Sequence, residues 1–272
     1  MRLDSIVKPS LEEAQKIRKS GLTLAPEAGT QRLRDVINKG VTEDDLVRAV
    51  TDAFESGWST VKLYFMIGLP TETDEDLEGI GHLAQDVIGA YFSVPKSIRA
   101  RGLRVTCSAS SFVPKPFTPF QWFGQDTHDQ IVEKQTKLRD ILHKVKGVNF
   151  NYHESELSML EACFARGDRR MGQVLLRAYQ KGCMLDGWTE LFKYDMWREA
   201  FAELGIDPAF YAYRRREKDE IMPWDVIDCG VTKEFLWREK EKAEKAQTTK
   251  DCRKGCNGCG LQRFKGVCKY CG

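Results

Sequence analysis

Five of the nine cysteines crowd the last 21 residues: Cys252, Cys256, Cys259, Cys268 and Cys271. Thiols at such short spacing in a reducing compartment point to metal rather than to disulfides. Cys256-x2-Cys259 and Cys268-x2-Cys271 form two knuckles, with Gly258, Gly260 and Gly266 easing the turns. Two C-x2-C pairs suit a tetrahedral zinc ion, the preferred reading, or an auxiliary iron–sulfur cluster, with Cys252 as a spare or alternative ligand. A third arrangement, Cys252-x3-Cys256-x2-Cys259, offers three closely spaced thiolates, but no strand precedes it. The other cysteines stand singly, and Cys107 reads as a small core residue.

Two further segments place polar residues where parallel sheets bind ligands, just past a strand's carboxyl end. In Leu22 to Lys39, a short apolar run ends in Pro26-Glu27-Ala28-Gly29-Thr30 and enters a helix that stops near Asn38 and Lys39. Glu27 and Thr30 suit a polar ligand such as a ribose, and Asn38 or Lys39 a carboxylate. In Lys62 to Leu77, a strand ends in Gly68-Leu69-Pro70-Thr71-Glu72-Thr73 and passes into an acid-led helix. Gly68 would admit a flat ligand and Pro70 fixes the turn. The competing reading makes both segments ordinary βα turns, with Glu72 assisting a helix start and Lys39 a solvated cation favoured by the helix dipole.

The elements that must position these residues alternate in type. Ser10 with Glu13 opens a first helix; Gln31 to Asn38 forms a second; Thr42 with Asp45 caps a third. Val61 to Ile67 reads as a buried strand, and Leu103 to Val113 as another strand. Thr73 caps a helix running to about Ala90. Such alternation predicts βα units on a parallel sheet, with three strands, too few to close a barrel. After Trp122 helices dominate, over Thr127 to Val145, Ser155 to Phe164, Arg169 to Lys181, Thr189 to Leu204 and Thr232 to Lys245. One strand-like run, Val148 to Tyr152, interrupts them. The division expected is 1–124, a mainly helical 125–247 and a cysteine tail 248–272.

Over the 272 residues, 42 Lys and Arg balance 40 Asp and Glu, so no global field would draw nucleic acid or an anionic membrane. The longest apolar stretch, around Leu63 to Leu69, falls far short of the ~20 residues of a membrane span. With no signal-type run at the start, a cytoplasmic protein without membrane partners is the expectation. Arg214 to Arg216, beside Phe210, Tyr211 and Tyr213, reads as a solvated loop or as an RNA contact.

The two strand–turn–helix segments, in this order and spacing, resemble the fourth and fifth strands of the radical S-adenosylmethionine barrel, in the branch of the methylthiotransferases and related cobalamin-domain proteins. Where that branch has a Gln-Ser-Gly-Ser turn and a helix ending in Asn-Arg, this chain has Glu27, Ala28, Gly29, Thr30, then Asn38 and Lys39. Phe65 to Thr73 resembles Phe-Ile-Val-Gly-Phe-Pro-Gly-Glu-Thr. Phe112 to Trp122 resembles the Pro-rich exit of the sixth strand, and Met222 to Gly230 extends the likeness to an uncharacterised bacterial group.

The resemblance implies the C-terminal half of a partial (β/α)6 barrel that binds S-adenosylmethionine on a [4Fe-4S] cluster and cleaves it to a 5′-deoxyadenosyl radical. It implies Met66 and Gly68 against adenine, Glu27 and Thr30 at the ribose, Asn38 or Lys39 at the carboxylate, and Gly29, Pro70 and Glu72 as further cofactor-binding positions. Ser108, Ser110 and Lys115 would face substrate. Lys39 replaces the usual Arg and offers a point charge rather than a fork. The family's C-x3-C-x2-C after the first strand and its Gly-Gly-Glu on the second have no counterpart here, so the expected partner is an N-terminal half of the same protein, and the expected substrate an RNA or a protein. The alternative is a non-catalytic, RNA-binding interaction module with a zinc knuckle.

Overall fold

A computed structural model describes residues 21–264, 266 and 268. The helix expected around Ser10, and Cys271, lie outside the described residues. The chain divides into two units: Met1–Ser111 with Gln130–His153 and Lys242–Thr248, and Phe112–Asp129 with Glu154–Glu241 and Thr249–Gly272.

The first unit is α/β. Strand β1 (Leu22–Glu27) leads to helices α1 (Gln31–Val36) and α2 (Glu43–Glu55); β2 (Thr60–Ile67) leads to α3 (Asp74–Ser93); β3 (Arg104–Ser111) leads to α4 (His128–His143) and β4 (Val148–Tyr152). All neighbouring strands pair in parallel, in the order β1-β2-β3-β4. The run Val148 to Tyr152 is thus a fourth strand of the same sheet. Strand order that never reverses, with helices on one side, is the arrangement of a barrel segment, whereas a doubly wound sheet reverses direction and carries helices on both faces.

The helices described in this unit pack against one face of the sheet. Leu22, Leu24, Val61, Leu63, Phe65, Ile67, Val105, Cys107 and Ala109 point into a core shared with Leu46, Val50 and Phe54 of α2, Leu77, Ile80, Leu83 and Val87 of α3, and Ile131, Leu138 and Leu142 of α4. The alternate residues are polar or half-exposed: Thr23, Lys62, Tyr64, Met66, Thr106, Ser110, Asn149 and Asn151. Parallel strands covered on both faces are apolar throughout. The reading of Val61 to Ile67 as a buried strand holds for alternate residues, while Tyr64 between them is 37% exposed.

Local chemistry sets the helix starts. Thr42 and Asp45 make a reciprocal capping box at α2, with Thr42 N–H to Asp45 Oδ2 at 3.0 Å and Asp45 N–H to Thr42 Oγ1 at 3.2 Å.

The second unit is mainly helical: α5 (Ser155–Arg166), α6 (Met171–Gln180), α7 (Tyr194–Glu203), α8 (Pro208–Ala212) and most of α9 (Lys233–Ala243). The single helix expected over Thr189 to Leu204 is instead a 3-10 turn, Thr189–Leu191, and α7. The break is held by tertiary bonds: Lys193 Nζ reaches the Gly182 carbonyl at 3.0 Å, and the backbone at Phe192 is extended. Asp207 caps α8, with Pro208 at its first position. Buried Arg166 is the unit's tie, donating to the carbonyls of Phe123, of Tyr211 at 2.8 Å and of Arg214 at 2.9 Å. Burial, with Arg216 and Arg214 nearby, pulls its pKa down to about 10.

Candidate functional site

The carboxyl ends of β1 and β2 carry most of the expected site residues. At the β1 exit the register slips between Leu24 and Glu27, and Glu27 takes a left-handed φ of 70°. Its carboxylate receives Lys39 Nζ at 2.9 Å. Asn38, at φ 52°, turns the chain back so that Lys39 can reach. A ligand carboxylate at Lys39 would share that ammonium with Glu27. Thr30 caps α1, accepting from Leu33 N–H at 3.2 Å, and its hydroxyl donates to Asp76. Gly29 is dictated by packing. A Cβ there would lie 2.1 Å from the Asp76 carbonyl oxygen and 2.5 Å from Ile80 N, and Gly79 meets it from α3 with equal lack of room.

At the β2 exit Gly68 has φ 78°, a conformation that favours glycine, and donates its N–H to Glu72 Oε1 at 2.9 Å. The Glu72 side chain is 1% exposed and also receives Lys134 Nζ from α4 at 2.8 Å. It staples the turn from within. Leu69 and Pro70 are buried beside it.

Asp76 joins the two turns, and sequence reasoning missed its reach. Its carboxylate, 1% exposed, accepts from Thr30 and Arg32 across the gap and from Thr73, N–H at 2.8 Å and hydroxyl at 3.0 Å, within its own capping box. Arg32 also donates to the Thr71 carbonyl at 2.9 Å. Burial raises the Asp76 pKa, but the bonds from Thr30, Thr73 and Arg32 outweigh it and hold the carboxyl below the usual range. The sequence signal was Thr73-x-x-Asp76, which foretold the cap but not the cross-link. Arg34, buried and holding the Ala28 carbonyl at 3.0 Å, was likewise unforeseen.

On the open sheet face, Met66 is half-buried and paired in register with Ser110, whose hydroxyl donates to the Phe65 carbonyl at 3.4 Å. Ser108 is 7% exposed, and its hydroxyl oxygen is buried without a hydrogen-bond partner. A buried orphan hydroxyl calls for an unseen polar partner. Cys107 faces the core, where burial pushes its thiol up to about 12. It is no nucleophile at neutral pH.

Lys115 belongs to the second unit, where it pairs with Glu161 on the surface. Of the arginine run, Arg215 is exposed while its two neighbours are built in. Arg214 is held by Glu220 at 2.6 Å over the Phe210 ring, and Arg216 is buried and bonded to the Arg166 carbonyl at 2.8 Å.

In the tail, Cys252 and Cys256 are exposed and Cys259 and Cys268 half-buried. The first knuckle docks on the start of α9. Thr232 N–H bonds the Cys259 carbonyl at 2.9 Å, Arg238 the Asn257 carbonyl at 2.6 Å, and Gly258 N–H lies 3.4 Å from Cys256 Sγ. Among the described residues no group of three or more His, Cys, Asp or Glu gathers to hold a metal.

Half-buried Met66 and the Glu27–Lys39 pair at the strand ends of the first unit offer the mixed apolar and polar contacts that S-adenosylmethionine needs, whereas Thr30 and Glu72 are already engaged in the fold. No helix among the described residues is long and apolar enough to cross a membrane.

An uncharacterized protein of Methanocaldococcus jannaschii is 35% identical over 63% of this chain, and the chain spans 38% of that relative's length. Residues 2–84 match the family model described as the Radical SAM superfamily, over the segment that holds β1, β2 and their ligand-side turns.

Proposed function

We propose that the chain is the C-terminal portion of a radical S-adenosylmethionine enzyme and supplies one side of its cofactor site. The observation that carries this is the polar face, left free by the described helices, of a parallel sheet whose strands run in barrel order, its first two strands within the segment similar to that superfamily. The chain's coverage of 38% of its archaeal relative supports a larger whole. Radical SAM proteins use S-adenosylmethionine and a [4Fe-4S] cluster, and when bound these supply a 5′-deoxyadenosyl radical.

In this reading Met66 and the Gly68 turn pack against the adenine, Glu27 meets the ribose, and Lys39 with Asn38 meets the methionyl carboxylate. Thr30, Gly29, Pro70 and Glu72 act by holding the two turns in place. The cluster-bearing cysteines come from the preceding polypeptide, the expected partner. Ser108 and Ser110 face substrate. The cysteine tail holds a structural zinc completed by Cys271.

The test is anaerobic reconstitution with iron and sulfide followed by dithionite and S-adenosylmethionine. The chain alone is expected to give no 5′-deoxyadenosine, and a polypeptide extended upstream through a C-x3-C-x2-C segment is expected to give it. Turnover by the chain alone would move the radical cluster to Cys252, Cys256 and Cys259; no turnover by the extended protein would overturn the reading.

A further inference from the structure

The open face of the sheet is ordered in rows. Thr23, Lys62, Thr106 and Asn149 stand opposite one another across all four strands, and Tyr64, Ser108 and Asn151 form the next row. Strands lie ~4.8 Å apart, so the first row is a polar strip ~14 Å wide. Its one cation is Lys62, half-buried, with its ammonium 5.2 Å from the centre of the Tyr64 ring. No acidic side chain among the described residues pairs with it, although most lysines and arginines in the same unit that lie this deep do have such a partner: Lys39 has Glu27 and Lys134 has Glu72. The ammonium, set beside the Tyr64 ring and without an acidic partner among the described residues, is the group on this face that an anion would meet. One row along, the buried orphan hydroxyl of Ser108 adds a hydrogen-bonding group turned to the same face.

We propose that Lys62, Thr106 and Ser108 form a site for an oxyanion, a phosphate or carboxylate group carried by the substrate. Lys62 lies four residues before Met66 along β2, so the anion sits ~13 Å below the strand ends. The substrate class that follows is an elongated molecule with its charged group remote from the end at which it reacts. The Tyr64 ring beside Lys62 flanks the path between. The site itself stands on the sheet face alone; only its assignment to a substrate rests on the radical-enzyme reading.

Isothermal titration of the full chain with sodium pyrophosphate at low salt tests it. Binding with a Kd below ~1 mM is expected. Lys62→Gln should weaken it about tenfold or more, and Ser108→Ala by about threefold, with the melting temperature of each free variant unchanged. Lys144→Gln, an exposed lysine beyond α4, should bind as the unaltered chain does. No binding of pyrophosphate, equal binding by Lys62→Gln, or equal loss in Lys144→Gln would each overturn the proposal. A parallel titration with S-adenosylmethionine separates the two claims. Pyrophosphate binding that depends on Lys62 without S-adenosylmethionine binding would sink the cofactor reading and leave this site standing; the reverse pattern would do the opposite.

Discussion

Replacing Asp76 with Asn should uncouple the β1–α1 and β2–α3 turns. The carboxylate takes bonds from Thr30, Arg32 and Thr73, the last through both N–H and hydroxyl. Asn offers one acceptor oxygen and turns an NH2 toward groups that are themselves donors. A hydrogen bond to a charged group contributes ~1.5–3 kcal/mol, and breaking a buried pair costs ~3–5 kcal/mol. Arg32 is 42% exposed and regains water, which puts the loss near the low end, ~3 kcal/mol. At ~2–4 °C per kcal/mol, the first thermal transition should fall by ~6–12 °C at neutral pH. Circular dichroism melts read it. The sign with pH is fixed by the depressed carboxyl. Its stabilisation is complete above the unfolded-state value of ~3.9 and is lost as pH falls through the lower folded-state value. The gap between the unaltered chain and Asp76→Asn should therefore shrink as the pH falls below the unfolded-state value of ~3.9. A fall of less than ~2 °C at neutral pH, or a gap that stays constant on acidification, would refute the cross-link.

Gly29→Ala places its Cβ against helix backbone, so it should destabilise by ~3 kcal/mol or more in urea unfolding, whereas Gly89→Ala, with open space around it, should not. Glu72→Gln removes the anion that receives both the Gly68 N–H and Lys134; a loss of ~2–3 kcal/mol is expected, with faster amide exchange at Gly68. Arg166→Met leaves three carbonyls unpaired in the second unit and should cost ~3–5 kcal/mol there, read by Trp fluorescence during denaturation. Cys107 should resist alkylation at neutral pH in the folded chain while the exposed Cys252 reacts within minutes, a contrast that mass spectrometry resolves.

Much of the first unit was legible because its signals are local. Thr42-x-x-Asp45 and Thr73-x-x-Asp76 announced helix starts, and Gly68-Leu69-Pro70 announced the strand's end. What stayed hidden depends on partners distant in sequence. Val148 to Tyr152 is short and mostly exposed, so its place beside β3 could not be read from its own residues. Val61 to Ile67 reads as one buried strand, yet Lys62 and Tyr64 within it stand on the face that the described helices leave free. Gly29 follows Glu27 and Ala28 as any turn glycine would, and only α3 shows that it is there for close backbone packing. The site residues were legible as positions at strand ends. Their duties were not: Glu72 and Thr30 are spent on the fold, while Asp76 and Arg34, which hold the turns together, carried no sequence signal of ligand chemistry.

Photolabelling tests the central claim most directly. Ultraviolet irradiation of the full chain with methyl-labelled S-adenosylmethionine, followed by peptide mapping, should place the label on the peptides spanning Thr23 to Lys39 and Thr60 to Thr73, with excess S-adenosylhomocysteine suppressing it. Label confined to the helical unit or the cysteine tail, or label that S-adenosylhomocysteine leaves untouched, would contradict the assignment of this sheet edge as the cofactor's side.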